Sequence, residues 1–235
     1  MVLEEILRSG FAELSLPLDE TAVRRYRQYY ELLTERNKVM NLTAIEGEEA
    51  SARLHFLDCA ALLTLADFRG KSVIDVGSGA GFPGLALKIA EPGVELTLLD
   101  SLDKRVHFLR ETCDTLGFED VRCLHARAEE APADLRQAYD VAVSRAVARL
   151  NLLCELCLPF VKVGGLFAAM KGPGADEEVI DAKRAIRTLG GRLEAVARYT
   201  IPGTEVTHTA ILIRKTSDTP ARYPRRWAQM KKQPL

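Results

Sequence analysis

The stretch Ser72-Val-Ile-Asp-Val-Gly-Ser-Gly-Ala-Gly-Phe-Pro-Gly84 carries an apolar strand straight into a glycine-rich bend. Glycines at 77, 79 and 81 let the backbone turn sharply and bring its N–H groups close to a ligand with no Cβ in the way. Pro83 suits the first turn of a following helix, whose positive end favours an electron-rich group. Strand, bend and helix in that order begin a doubly wound α/β sheet, which holds ligands at the carboxyl ends of its strands.

Downstream of the bend, strand-like and helix-like runs alternate. Val94 to Leu99, Val121 to His125, Asp140 to Ser144 and Gly165 to Met170 read as strands. Leu85 to Ala90, Lys104 to Gly117, Asn151 to Val163 and Ala175 to Leu189 read as helices. That alternation predicts a mostly parallel, Rossmann-like sheet with helices on both faces. Arg192 to Ile201 and Thr207 to Ile213 are joined only by a short turn at Pro202-Gly203, so they form an antiparallel hairpin at the sheet's end. Upstream, Leu3, Ile6, Leu7, Phe11 and Leu14, then Val23, Tyr26, Tyr30 and Leu33, recur at helical intervals. Asp19 is a candidate N-cap, and a third helix is predicted over Glu48 to Ala66. The chain thus divides into an N-terminal helical lobe (1–69), the α/β domain (70–215) and a C-terminal tail (216–235).

The 235 residues are 47% apolar and 28% charged, ordinary globular usage that excludes a fibrous or wholly disordered chain. The longest apolar runs, such as Ala60 to Ala66, are too short to span a bilayer. Glu4 and Glu5 interrupt any basic-then-apolar leader, and a cytoplasmic protein is expected. Five cysteines show no disulfide rhythm, and Cys154 and Cys157 sit in an apolar helical stretch as core residues. Neither a metal site nor a membrane partner is expected. The formal charge of −1 hides an asymmetry: residues 214–235 hold seven basic side chains and one acid, +6, which leaves −7 on the rest. An acidic body with a basic end suits a polyanionic partner, and equally a solvated end.

Gly79, Gly81 and Gly84 satisfy a dinucleotide GxGxxG, but the run begins at Gly77 and puts Phe82 where a fingerprint counted from there needs glycine. Asp75, two residues before Gly77, repels a pyrophosphate and suits an ammonium or sulfonium group, both of which S-adenosylmethionine carries. Asp100 ends the second strand, where a carboxylate accepts both ribose hydroxyls of an adenosine. Residues 126–129 can meet the adenine edge with backbone and Glu129, or form a plain polar loop. Arg145 and Lys171 follow adjacent strands and together suggest an anionic or purine substrate.

With these blocks in place the chain resembles the ribosomal RNA small-subunit methyltransferase G family, also called glucose-inhibited division protein B. The resemblance rests on Asn41-Leu-Thr, His55-Phe-Leu-Asp58, the block from Asp75 to Gly84, Leu99-Asp-Ser101 with Lys104-Arg105, Arg127-Ala-Glu129, Ser144-Arg-Ala146, Lys171-Gly172 and Tyr223-Pro-Arg-Arg226. It implies a class I S-adenosylmethionine-dependent methyltransferase fold and methylation of N7 of one guanosine in bacterial 16S ribosomal RNA. Gly77, Phe82, Ala128, Glu129 and Arg145 match the family's cofactor-contacting positions, and they join Asp75, Gly79, Gly81 and Asp100, read as cofactor-binding from the bend and the strand ends. Arg145 and Lys171 are expected to orient guanine or its phosphate, with Asn41 and His55 helping from the lobe; His55 also reads as a structural histidine. The expected partner is 16S ribosomal RNA or the small subunit, met by a monomer. The family's pattern after Tyr223-Pro-Arg-Arg226 is replaced by Trp227-Ala-Gln-Met230, and Trp227 reads equally as a stacking residue or one docked on the body. Removing Arg222 to Leu235 is expected to weaken RNA binding and to leave cofactor affinity intact. The alternatives are a nucleotide-dependent oxidoreductase and an RNA-binding assembly factor without turnover.

Overall fold

Side chains alternate along the strands and sort into two cores, one on each face of a single sheet. The computed structural model describes residues 2–145 and 147–235, so Ala146 of the Ser144-Arg-Ala146 block lies outside the described residues. The strands are β1 (Ser72–Val76), β2 (Glu95–Asp100), β3 (Arg122–His125), β4 (Tyr139–Arg145), β5 (Val161–Lys171), β6 (Gly191–Thr200) and β7 (Thr207–Lys215). They lie in the order β3-β2-β1-β4-β5-β7-β6. β1 pairs in parallel with β2 and β4, while β7 runs antiparallel to both β5 and β6. All seven predicted strands are present. The order reverses between β1 and β4, which opens a crevice at their carboxyl ends.

Val73, Leu98, Val143, Ala168 and Leu212 face one core. Ile74, Leu99, Ala142, Phe167 and Ile211 face the other. The first core is covered by α1 (Val2–Glu13), α2 (Glu20–Met40), α3 (Glu48–Ser51), α4 (Asp58–Ala60), α5 (Gly84–Ala90) and α6 (Asp103–Leu116). Leu3, Tyr26 and Phe56 of the lobe lie in the same apolar cluster as Val73 and Leu98, so lobe and sheet share one interior. Asp19 caps α2 as expected, its Oδ1 accepting the Ala22 N–H at 2.7 Å. The Tyr26 hydroxyl donates to Ala86 O at 2.8 Å and that of Tyr29 donates to Ala80 O, which seats α2 against the glycine bend.

The predicted third helix changes pitch. Between α3 and α4 the chain takes a wide π turn over Ala52–Leu57, and a 3-10 turn over Ala61–Thr64 follows. The Asp58 N–H bonds to Arg53 O and His55 O and passes over Leu54 O. Likewise the predicted helix to Val163 ends early: α7 (Leu150–Cys157) tightens into a 3-10 turn over Leu158–Phe160, and β5 starts at Val161.

The second core is covered by α7, α8 (Ala175–Thr188) and a C-terminal strap ending in α9 (Trp227–Lys232). The strap is no solvated tail. Arg136 donates to the carbonyls of Tyr223 at 2.7 Å and Thr219 at 2.6 Å. Lys215, fully buried, donates to Leu158 O at 2.7 Å and to the Thr219 hydroxyl. Arg225 grips the buried Glu155 through its backbone N–H, Nε and Nη2, at 2.7–2.8 Å. Tyr223 and Met230 are buried in the second core. Three of the seven basic residues from Arg214 onward are therefore engaged within the fold; the Arg222, Arg226, Lys231 and Lys232 side chains remain exposed. Removing one partner of a buried ion pair costs about 3–5 kcal/mol. Glu155→Ala lowers the unfolding free energy by about that much, measured as a fall in urea midpoint at constant slope. A loss under about 1 kcal/mol contradicts a buried Arg225 anchor.

Candidate functional site

Three cavities join into one trough along the carboxyl ends of the strands. The first, about 240 Å³, lies between Gly77, Ser101, residues 126–129 and Trp227. The second, about 360 Å³, spans Gly77, Gly79, Phe82, Asp100 and Arg105. The third, about 780 Å³, lies beside Thr43, His55, Arg145, Lys171 and His208. Gly77, Ser101 and Val147 belong to the first two; Thr43, His55, Arg145 and Val147 belong to the last two. A separate hollow of about 510 Å³ at the amino ends of the strands is walled by the pairs Asp140–Lys162 and Glu194–Arg214, far from the glycine bend.

The bend has two closed glycines and one open one. A Cβ at Gly77 (φ 75°) would stand 2.5 Å from Val147 Cγ2, and one at Gly81 (φ 101°) 2.6 Å from Leu85 Cδ1. At Gly79 (φ 59°) the nearest atom would be 3.9 Å away, so this backbone faces open space. Asp100 braces the cradle: Oδ2 accepts the Gly79 N–H and Oδ1 the Leu102 N–H, each at 2.9 Å. Its carboxylate keeps lone pairs beyond these two bonds, as a ribose diol requires. An open glycine above a braced carboxylate fits an adenosine-bearing group. Ala128 and Glu129 line the first cavity.

Asp75 is placed otherwise. Strand alternation puts it on the face of Val73, beneath α5, where it is fully buried and lines none of the three cavities. Its Oδ2 accepts the Gly84 N–H at 2.8 Å, Oδ1 has no partner, and burial pushes its carboxyl up to about 7. It anchors the start of α5 and does not touch the trough. Asn41 is also away from it. Exposed, with φ 50°, it ends α2 in the left-handed conformation that asparagine tolerates.

Arg145 stands where the second and third cavities meet. Its Nη1 donates to Leu54 O at 3.1 Å and Asp58 Oδ2 at 3.2 Å, and Nη2 to His55 Nδ1 at 2.8 Å. The Leu54 carbonyl is the one that the π turn leaves unclaimed by Asp58 N–H. A guanidinium only donates, so His55 Nδ1 accepts and Nε2 carries the proton, donated to Thr43 Oγ1 at 2.9 Å. His55 stacks on Phe82 with centroids 4.2 Å apart and planes 11° apart, and the guanidinium lies 4.9 Å from the same ring. Asp58 Oδ1 accepts the Tyr199 hydroxyl at 2.8 Å and His208 Nδ1 at 2.9 Å. Lys171 donates to Ala148 O at 2.6 Å and pairs with Glu178 at 2.8 Å, so it fastens the loop after β4.

Residues 22–206 match the family described as GidB, rRNA small subunit methyltransferase G. A ribosomal RNA small subunit methyltransferase G from Pelotomaculum thermopropionicum is 46% identical over 239 residues, covering 100% of this chain and 99% of that protein. One from Alkaliphilus oremlandii is 44% identical over 238 residues and covers 100% of both. The chain belongs to the rRNA small subunit methyltransferase G family. Among solved structures, a SAM-dependent methyltransferase from Aquifex aeolicus matches with TM-score 0.50 at 20% identity, over 67% of this chain and 89% of that one. The YcgJ protein from Bacillus subtilis matches with TM-score 0.52 at 16% identity, over 69% and 100%. These likenesses carry the fold, that of the class I S-adenosylmethionine-dependent methyltransferases.

Within this family member, Tyr199 and His208 join the site although nothing in the local sequence singled them out, and Thr43 and Asp58 join it from the two lobe blocks. Asn37 clamps Thr43 through both backbone groups at 2.9 Å, a bond between residues six apart that no motif announces. Among the described residues no group of three or more His, Cys, Asp or Glu is placed to hold a metal ion, and no helix is long and apolar enough to cross a membrane. Burial, aided by the Arg145 charge, pushes His55 down to about 3, whereas the hydrogen bond to Asp58 raises His208. Neutral His55 therefore contributes stability that is full above the unfolded value of about 6.5 and is lost as pH falls toward 3. Between pH 6.5 and 4.5 the urea midpoint of the wild type falls more steeply than that of His55→Gln. Parallel profiles contradict a neutral imidazole bonded to Arg145.

Proposed function

We propose that this protein transfers a methyl group from S-adenosylmethionine to N7 of a guanosine in 16S ribosomal RNA, working as a cytoplasmic monomer. Family membership supports the substrate class. The open Gly79 cradle, the Asp100 brace and the slot by Ala128 and Glu129 support the cofactor, with adenosine in the first two cavities. The 780 Å³ cavity takes the target base, reached past Arg145, His55 and Thr43.

One observation carries the choice of N7. Both carboxylates lining the target cavity are already committed: Asp58 accepts from Arg145, Tyr199 and His208, and Glu178 from Lys171 and the Leu150 N–H. The Nδ1–H of His208 is likewise engaged, donated to Asp58 Oδ1 at 2.9 Å. Guanine N7 has an in-plane lone pair and no proton, so its attack needs no base. Bound S-adenosylmethionine would supply an electrophilic methyl group, the new N7–carbon bond replacing the carbon–sulfur bond whose electron pair would stay on sulfur. What remains is alignment, which supplies roughly 7–11 kcal/mol in favourable cases.

Arg145 is the main positioning residue in this scheme. It holds His55 and the π turn against the end of β4, and so sets the spacing between glycine bend and target cavity. Lys171 fixes the neighbouring loop, and His208, raised by its hydrogen bond to Asp58, lines the target cavity. The exposed Arg222, Arg226, Lys231 and Lys232 support backbone contacts outside the trough. Incubation with labelled methyl donor and small subunits lacking the modification places label on N7 of one guanosine of 16S RNA. RNA binding with no transferred label marks an assembly factor instead, and label at an exocyclic or carbon position overturns the N7 assignment.

A further inference from the structure

The C-terminal strap has no part in that alignment, yet one of its residues lines the trough. We propose that Trp227 is a wall of the adenosine subsite, held there by the Arg225–Glu155 pair, which makes the strap a component of the cofactor site. The assignment rests on reading the 240 Å³ cavity as the adenosine end.

Trp227 is the one aromatic residue lining that cavity. The others are mainly small or aliphatic: Leu99, Ala126, Ala128, Val147 and Leu156. Glu129 adds a carboxylate whose side chain is only 6% exposed. Arg127, also on the lining, stands 3.5 Å from Glu129 Oε1 and leaves Oε2 as an acceptor. A largely apolar cavity with an aromatic wall and one acceptor edge suits a flat heterocycle carrying an amino group, as adenine does. The indole is held from both sides along the chain. Two residues before it, Arg225 bonds three times to Glu155, which precedes the cavity residue Leu156 on α7. Three residues after it, Met230 is fully buried. Such anchoring is unlike a segment kept free for RNA. It reverses the expectation that removing residues 222–235 spares cofactor affinity.

The chain has a single tryptophan, so its emission reports on this position alone. Wild-type protein is titrated with S-adenosylhomocysteine, adenosine, methionine and RNA, followed by fluorescence and by calorimetry. The emission changes saturably with S-adenosylhomocysteine, at the Kd that calorimetry gives, and with adenosine, but not with methionine. Trp227→Ala weakens S-adenosylhomocysteine binding about tenfold, within the range for loss of one base–aromatic stack, and Trp227→Phe restores most of it. Heat of binding with unchanged emission and an unchanged Kd in Trp227→Ala overturns the wall while sparing the cofactor reading. An indole that answers to RNA but not to S-adenosylhomocysteine overturns it too. Absence of any heat from the wild type overturns the cofactor reading and the wall with it.

Discussion

One half-buried cation, paired with the buried Asp58, holds the parts of this site in register. Arg145 leaves the end of β4, a central strand, and bonds to a backbone carbonyl, an imidazole and a carboxylate of the lobe. The carboxylate, Asp58, in turn accepts from Tyr199 of β6 and His208 of β7. Lobe, sheet centre and C-terminal hairpin therefore meet on one ion pair. Breaking such a pair costs about 3–5 kcal/mol, against a net stability of about 5–15 kcal/mol for a typical domain. The π turn belongs to the same device. The Asp58 N–H passes over the Leu54 carbonyl, and that carbonyl receives the guanidinium.

That clamp accounts for the form of the trough. The glycine bend is rigid because neighbours crowd Gly77 and Gly81, and it lies open only at Gly79. The layered rings of Tyr29, Phe82 and His55 carry the bend into the lobe, with Phe82 centroids 5.2 Å from Tyr29 and 4.2 Å from His55. The 240 Å³ end of the trough is thus lined by sheet and strap, and the 780 Å³ end by sheet, lobe and hairpin. Arg145 lines the second and third cavities. A site that aligns two reactants and moves no proton of its own needs this kind of stiffness more than it needs a reactive side chain.

The sheet was legible because strand, bend and helix differ sharply in period and glycine content; every strand lies within a few residues of its predicted place. Asp100, Ala128 and Glu129 lie at the open ends of the strands, as strand ends dictate, Asp100 bonded to the Gly79 N–H and the other two lining the first cavity. Asp75 was read for its charge, but period-two alternation hides it under α5, where burial pushes its carboxyl up to about 7. Asn41 was read for its family block, whereas an asparagine after a helix is also a left-handed cap. The Arg145 network was invisible locally, since its members lie 87 to 91 residues apart along the chain. The strap was misread because basic residues dominate its composition, while the few side chains that anchor it, Tyr223, Arg225 and Met230, leave no periodic trace.

The central claim is that the fork of Arg145 sets the geometry of transfer and that charge alone cannot replace it. Arg145→Lys keeps the charge and loses the planar fork. Single-turnover methyl transfer at saturating cofactor and RNA measures the consequence most directly. The rate falls on the order of 100-fold, as a misplacement near 1 Å produces, while the cofactor Kd stays within a few-fold of wild type. Wild-type transfer by the lysine variant, in folded protein, contradicts the account.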